Sequence, residues 1–234
     1  MKQTIIILSC ILATNTFFQS CSKDDNEPVI YYDAFYVSKI PSRTVGGAVS
    51  YYKTFEVSSA NKIESAEVTL NNNTLGESYT LDNQDKEEGY LFSKEIKTET
   101  IGEVSVDFSV SLSDGSTHSD NDVILGSEYV ISPSLINSSS LVAGQDSIYF
   151  SWTKTTDNKI SSYTVKLEKD GKSFFNESIS NELTEITIRP GTYDKIETGS
   201  YTLSLYSYKA TANSRNDAKR LNCVGIDKIE ITIN

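Results

Sequence analysis

Alternation of apolar and polar residues with a period of two is the feature that most constrains this chain. In VSVDFSVSLS, residues 104–113, valine, phenylalanine and leucine alternate with serine and aspartate. This pattern is typical of a β strand that has one face in a core and the other in water. The same alternation recurs in AEVTL (66–70), SIYFSW (147–152), YTVKL (163–167) and KIEITI (228–233). No window of eleven or more residues keeps a helical period, so the sequence predicts an all-β protein.

Short turn signals separate these runs. Asp114-Gly115 and Asp170-Gly171 predict two-residue hairpin turns, in which both positions must tolerate a positive φ. Asn71-Asn72-Asn73 and Asn83-Gln84-Asp85 are polar segments that predict strand ends. Many short strands between regular turns favour a sandwich or a barrel.

The strand pattern runs twice along the chain. The first set occupies residues 30–127 and the second occupies 128–234, and each is close to the ~100 residues of an immunoglobulin-like sandwich. Gly126 and Pro133 punctuate the sequence between the two sets. We therefore predict two tandem immunoglobulin-like antiparallel β-sandwiches, with one larger sandwich as the alternative.

The second half resembles a fibronectin type III domain. Trp152 stands where that family has its core tryptophan on the second strand, and Tyr163 stands at the matching third-strand position. Residues 196–203, IETGSYTL, are similar to the family's Leu-x-Pro-Gly-x-x-Tyr-x-Val run, with Thr198 in place of the proline. The resemblance implies that Tyr201 forms a tyrosine corner. The first half lacks the tryptophan, and we interpret it as immunoglobulin-like only.

The first 20 residues predict a secretory signal peptide that is removed. Lys2 precedes an uncharged, mostly apolar run from Thr4 to Phe18, which is short for a transmembrane helix. Ser20-Cys21 at its end resembles the lipobox of bacterial lipoproteins, in which the cysteine is lipidated and becomes the new N-terminus. Cys10 lies in a similar pattern, but cleavage there would leave an apolar core shorter than the ~7–15 residues required. Cys21 is therefore the predicted lipid attachment.

Residues 21–29 predict a tether and a cellular address. Ser22, Lys23, Asp24 and Asp25 resemble the export signal of surface lipoproteins in Bacteroidetes-type bacteria. That resemblance implies a lipid-anchored outer-membrane protein that faces outward; a polar linker on a periplasm-facing lipoprotein is the alternative. The segment has too little apolar area to fold, and two or three acyl chains suffice for stable anchoring.

Charge and cysteine content narrow the possible partners. The chain has a net charge of −11, and loss of Lys2 with the leader changes this to −12. Such a chain repels nucleic acid, so we predict no nucleic-acid partner.

Cys223 is the single thiol left after Cys10 and Cys21, which excludes an internal disulfide. Its apolar neighbours predict an inert, buried side chain.

The sequence carries no strong catalytic motif. His118 is the single histidine, and no HExxH, CxxC or phosphate-binding glycine loop occurs. We predict a non-enzymatic protein, with a hydrolase as a distant alternative. Asp114, Asp120 and Asp122 surround one predicted hairpin and are candidate ligands for Ca²⁺, which prefers oxygen ligands; a solvated acidic turn is the alternative. No other cofactor is predicted.

Aromatic residues are the candidates for binding. The chain has 14 tyrosines and one tryptophan. Tyr51 and Tyr52 are adjacent on a predicted strand, so at least one of them should be exposed. Tyr206 and Tyr208 share a strand face, and Phe175 follows a predicted hairpin turn. Such rings can stack on sugars or anchor a protein; cross-strand packing is the alternative.

Together these features predict a lipid-anchored, non-catalytic binding or spacer module on the cell surface. One version is glycan capture, since tandem sandwiches on a lipidated tether resemble the accessory sugar-binding lipoproteins of outer-membrane uptake systems. The alternative is a protein-binding or structural subunit of an outer-membrane complex.

Overall fold

The fold is built almost entirely from β strands. A computed structural model describes residues 28–40, 48–71, 76–85, 88–137, 142–144, 147–154, 159–189, 197–212 and 219–233. Within these ranges the only helix is a three-residue 3₁₀ turn at Ser127–Tyr129. The strands are β1 (Ile30–Lys39), β2 (Ser50–Ser59), β3 (Ile63–Asn71), β4 (Glu77–Thr80), β5 (Asp82–Asn83), β6 (Leu91–Thr98), β7 (Val104–Leu112), β8 (Thr117–Ile124), β9 (Leu135–Ile136), β10 (Val142–Gly144), β11 (Ser147–Thr153), β12 (Ser162–Lys169), β13 (Lys172–Ser180), β14 (Glu185–Ile188), β15 (Gly199–Ala212) and β16 (Lys219–Ile233). The predicted all-β fold class is confirmed.

The chain divides into two compact units. The first comprises residues up to Phe35 together with Lys53–Ser127, and the second comprises Tyr36–Tyr52 and Glu128–Asn234. β1 and β2 therefore each contribute residues to both units. The predicted domain limits, 30–127 and 128–234, stay a prediction; the structure places residues 36–52 with the second unit.

The first unit contains two sheets whose inner faces form its core. The strand orders are β1-β2-β6-β5 and β4-β3-β7-β8. In β7 the five apolar residues from Val104 to Leu112 are buried, and the residues between them are exposed or half-buried. Tyr32 of β1 contacts Phe108 of β7, with 5.5 Å between ring centroids. Since these strands belong to different sheets, the core lies between the sheets, as the alternation predicted.

The second unit has a sheet of order β13-β12-β15-β16-β1 and a smaller sheet of order β10-β11-β14, with β9 paired to β11. β12, β15 and β16 run antiparallel. β1 joins β16 in parallel, from Tyr36 opposite Cys223 to Lys39 opposite Ile226. Tyr36 and Val37 of β1 are thus part of the core of the second unit, which is formed mainly by residues 128–234.

Trp152 occupies the core of the second unit. Its ring lies 5.3 Å from the ring of Tyr163, and both side chains are buried. Since β11 and β12 belong to different sheets, this contact joins the two layers of a sandwich. The predicted core positions of both residues are confirmed.

Tyr201 forms the predicted tyrosine corner. Its hydroxyl donates to the carbonyl oxygen of Glu197 at 2.8 Å and accepts from the backbone N–H of the same residue at 3.0 Å. A buried tyrosine that hydrogen-bonds to the backbone a few residues upstream is the hallmark of this corner in immunoglobulin-like sandwiches.

The two predicted hairpin turns differ in geometry. Asp170 and Gly171 both have positive φ, 51° and 75°, as a two-residue turn requires. At the other hairpin only Gly115 has a positive φ, 87°, and the N–H of Leu112 donates to the carbonyl of Ser116. Three residues lie between Leu112 and Ser116, and a hairpin loop of this length needs a positive φ at one position only, here Gly115.

A membrane-spanning helix does not occur in the described part of the chain, where no helical segment combines the required length and hydrophobicity.

Candidate functional site

The predicted anchor lies outside the described residues, which begin at Pro28. This applies to Cys21 and to the export signal Ser22, Lys23, Asp24 and Asp25. β1 begins at Ile30, nine residues after Cys21. Lipid attachment and export stay predictions from the sequence.

Two of the five candidate aromatic platforms are buried. Phe175 and Tyr206 are each 3% exposed. The Tyr206 ring also has two ammonium groups near it, with Lys166 Nζ at 5.2 Å and Lys228 Nζ at 5.9 Å from its centroid. Neither Phe175 nor Tyr206 has a ring face open for stacking on a sugar, which corrects the expectation for these two residues.

Three candidate tyrosines keep partial exposure. Tyr208 lies beside Tyr206 with its ring nearly parallel, at 6.4 Å between centroids and 17° between planes. Tyr51 and Tyr52 are both half-buried, and Lys39 Nζ lies 4.6 Å from the Tyr52 centroid. These three side chains remain candidates for a ligand contact.

Among the residues that the structure describes, the most exposed large apolar side chains were not among the sequence candidates. In the first unit they are Val29, Tyr31 and Tyr90, which are 56%, 49% and 41% exposed. Leu135 and Leu183 in the second unit are about half exposed. These five residues lie in loops or at the ends of strands, where the alternation of a single strand does not show what covers a side chain.

A carboxylate holds the loop that carries Tyr90. Asp85 Oδ1 accepts from the N–H of Gly89 at 2.5 Å, and its Oδ2 accepts from the N–H groups of Tyr90 and Leu91 at 2.6 and 3.1 Å. Gly89 has a φ of +72°, and a Cβ there would lie 3.1 Å from the carbonyl oxygen of Ile63. These hydrogen bonds hold the backbone of Gly89, Tyr90 and Leu91 against the Asp85 carboxylate.

The sequence did not predict that Lys166 and Glu168 would be buried, because it did not show that β12 is covered on both faces. The predicted core face holds Tyr163, Val165 and Leu167, whereas the opposite face holds Lys166, which is 1% exposed, and Glu168. Lys166 is paired across the sheet with Ser204 of β15. Alternation alone predicted that this second face would be in water.

The three candidate calcium ligands do not form an assembled site. Asp120 and Asp122 lie in β8 opposite Phe108 and Val106, and Asp122 Oδ2 already accepts from the N–H of Ala34 at 3.0 Å. Asp114 lies at the hairpin turn. Across the residues that the structure describes, no group of three or more histidine, cysteine or acidic side chains is arranged to hold a metal ion.

His118 takes part in a turn network rather than in a proton relay. Ser116 Oγ donates to Asp114 Oδ1 at 2.7 Å, and its oxygen lies 3.0 Å from His118 Nε2. The hydrogen bonds that Asp114 accepts from the Oγ and the N–H of Ser116 lower the pKa of its carboxyl. In a Ser-His-Asp triad the histidine lies between the other two, whereas here the serine does.

Cys223 has the environment of an unreactive thiol. Its side chain is buried, and burial raises its pKa to about 11. Ser38 Oγ lies 4.0 Å from the sulfur, and the carbonyl of Ile131 lies 3.9 Å away. The thiolate, which is the nucleophilic form, is therefore scarce at neutral pH.

Comparison with known proteins finds structural likeness only. No protein-family model matches the sequence, and no curated protein matches it. Among solved structures, the fibronectin(III)-like modules of Clostridium thermocellum CbhA are 15% identical, with a TM-score of 0.29; the match covers 88% of this chain and 94% of that chain.

Two chicken proteins are similar at the same level. A two-domain fibronectin type III segment of tenascin is 14% identical with a TM-score of 0.33, covering 76% of this chain and 91% of that one. The FN1–FN3 domains of CNTN1 are 12% identical with a TM-score of 0.29, covering 86% and 65%. At these scores the likeness assigns no ligand and no activity to the chain.

Proposed function

We propose that this protein is a non-catalytic lipoprotein of the bacterial outer membrane, anchored through Cys21, whose two β units act as a binding or spacer module. The observation that carries the proposal is the Ser20-Cys21-Ser22-Lys23-Asp24-Asp25 sequence, placed between an apolar leader and the first strand at Ile30. Lipidation would hold the chain at one end and leave the surfaces of both β units free for contacts.

A binding role is supported by aromatic and apolar side chains that the folded units leave accessible. Tyr51, Tyr52 and Tyr208 are partly exposed and offer rings to a sugar or a protein. Glycan capture is the version that uses these rings as stacking platforms.

The second candidate is a protein-binding or structural subunit of an outer-membrane complex. Leu135 and Leu183 in the second unit favour it, since both are about half exposed and a protein partner would cover apolar side chains.

Labelling of cells with a radioactive fatty acid tests the anchor in Cys21→Ser. Without the thiol no acyl chain can be attached to the sulfur, so we expect the variant to lose the label that the parent carries. Cys10→Ser is the matched control, because it removes the cysteine inside the leader, and it should keep the label. Equal labelling of Cys21→Ser and the parent would refute lipid anchoring at this residue.

Protease digestion of intact cells tests the outward orientation. A variant with Lys23, Asp24 and Asp25 changed to alanine should remain in the membrane but resist added protease, whereas the parent should be digested. A parent protein that resists protease on intact cells, and is digested after lysis, would show that the protein faces the periplasm.

A glycan array with the soluble form that starts at Ser22 tests ligand capture. Glycan capture predicts a signal that falls at least tenfold in Tyr208→Ala or Tyr51→Ala. Tyr79→Ala, a partly exposed tyrosine outside the candidate set, should leave it unchanged. A negative array together with a specific outer-membrane protein in a pull-down would favour the second candidate.

A further inference from the structure

Three exposed side chains come from neighbouring backbone segments at the end of the first unit where the chain enters it. We call Val29, Tyr31 and Tyr90 the entry patch. Val29 and Tyr31 flank Ile30, the first residue of β1, and two-residue spacing on an extended chain directs side chains to the same side. They are the most exposed large apolar residues in the described part of this unit.

Ser59 links the two halves of the entry patch. Its Oγ donates to the carbonyl of Val29 at 3.1 Å, and its N–H donates to the carbonyl of Tyr90 at 3.1 Å. Val29 and Tyr90 therefore lie on either side of one residue at the end of β2. With the Asp85 carboxylate also bonded to the N–H of Tyr90, the backbone of the patch is fixed before any ligand arrives, which lowers the entropic cost of binding.

The length of the tether determines what this patch can reach. Eight residue steps separate Cys21 from Val29, and a fully extended chain spans at most ~3.3–3.6 Å per residue, so the limit is about 29 Å. If Cys21 carries lipid, the patch is confined to a shell of that depth above the bilayer. Confinement by a short linker gives an effective concentration in the millimolar range, so a weak contact is enough to keep the patch on the surface.

The chemistry of the patch fits a lipid surface. Tyrosine has an apolar ring and a polar hydroxyl, and it is enriched at the interface between hydrocarbon and headgroups. Valine adds an apolar side chain. We infer that Val29, Tyr31 and Tyr90 contact the outer surface of the bilayer to which Cys21 is anchored, and so orient the first unit on it. This inference rests on the lipid anchor proposed above.

Depth-dependent tryptophan quenching tests the contact. Lipidated protein carrying Tyr90→Trp is purified from membranes and reconstituted into phosphatidylcholine vesicles with brominated acyl chains. Leu183→Trp, at a position in the second unit that is also exposed, is the matched control. The native Trp152 is buried and provides the same background in both variants. We expect the fluorescence added at position 90 to fall at least twofold relative to unbrominated vesicles, and that at position 183 to stay unchanged.

Two results would overturn the inference. One leaves the proposed lipid anchor intact, and the other removes the anchor as well. If the fluorescence added at position 90 is the same in brominated and unbrominated vesicles, on protein whose mass includes the lipid, the membrane contact is removed and the anchor is left intact; a protein partner for the patch would then be favoured. A mass without lipid on Cys21 would remove the anchor and the contact together. Tyr31→Trp provides an independent reporter if Tyr90→Trp changes the thermal unfolding midpoint.

Discussion

Glu56 lies in β2 of the first unit, and burial raises the pKa of its carboxyl from an ordinary 4.5 to about 7. Between these two values the unfolded chain has already released the proton while the folded chain still holds it. The free energy of unfolding therefore falls as pH rises from about 4.5 to about 7. Above pH 7 the whole of this loss of stability is present. The difference between the two pKa values corresponds to about 3 kcal/mol.

Glu56→Gln should remove this pH dependence, because the amide carries no charge. Denaturant unfolding at pH 4 and pH 8 measures the effect: we expect similar stability of parent and variant at pH 4, and a variant more stable by up to ~3 kcal/mol at pH 8. Glu67→Gln, at an exposed site of β3, is the control and should show no such difference. A Glu56→Gln variant with the same pH dependence as the parent would contradict the assignment.

Tyr201→Phe should destabilise the second unit by about 1–2 kcal/mol. The substitution keeps the buried ring but removes both hydrogen bonds to Glu197, leaving a backbone N–H and carbonyl to find other partners. Tyr149→Phe is the matched control, since its hydroxyl bonds to Glu185 at an exposed site, and we expect less than ~0.5 kcal/mol there. Chemical denaturation compares the two; equal losses would argue against a structural corner.

At the scale of single residues, sequence reasoning succeeded where one physical rule determines position. Trp152, Tyr163 and Tyr201 are where the resemblance and the alternation placed them. Glu56 and Lys166 could not be predicted, since alternation places each on a strand face that should meet water. Their burial depends on what covers that second face, for which a single strand carries no signal.

Gly225 in β16 packs directly against another segment of the second unit. A Cβ at this position would lie 2.9 Å from Pro133 Cα and 3.2 Å from Pro133 N, both of which are backbone atoms. Gly225→Ala therefore forces the two segments apart, and we expect a cost of about 1–3 kcal/mol in thermal or denaturant unfolding. Gly102→Ala is the control, with no atom within 4 Å of the added carbon, and should be within ~0.5 kcal/mol of the parent. An unchanged free energy of unfolding in Gly225→Ala would show that the contact between Gly225 and Pro133 leaves room for a methyl group.

At the scale of elements, strand existence was predictable and strand pairing was only partly so. β7, β11 and β12 follow from their alternation, and antiparallel neighbours such as β12 and β13 follow from a hairpin turn between them. The parallel pairing of β1 with β16 gave no sequence signal. A hairpin specifies its partner through a short turn, whereas these two strands are joined only through the rest of the folded chain.

For the whole molecule, this parallel pairing implies that the second half of the chain is not a self-sufficient unit. A fragment of residues 128–234 lacks β1, so it loses the buried side chains of Tyr36 and Val37 and the hydrogen bond from Ser38 Oγ to the carbonyl of Ile131 at 2.6 Å. Burial of two such side chains contributes about 3–6 kcal/mol.

Thermal unfolding followed through the near-ultraviolet signal of Trp152 compares this fragment with residues 28–234. We expect the fragment to have a markedly lower midpoint or no cooperative transition. A fragment as stable as the second unit in the longer chain would contradict the role given to β1. The sequence showed two sets of strands, but it did not show that residues 36–52 group with the second unit, because a linear reading assigns each stretch to its neighbours in sequence.

The proposed anchor, location and role all depend on the chemical state of one atom, the sulfur of Cys21. Intact-mass and peptide mass spectrometry of the protein purified from the membranes of its own cells measures it directly. We predict a mature chain that begins at Cys21, with a diacylglyceryl group on the sulfur. An unmodified Cys21 thiol, or a chain that still carries residues 1–20, would contradict the proposed anchor, location and role.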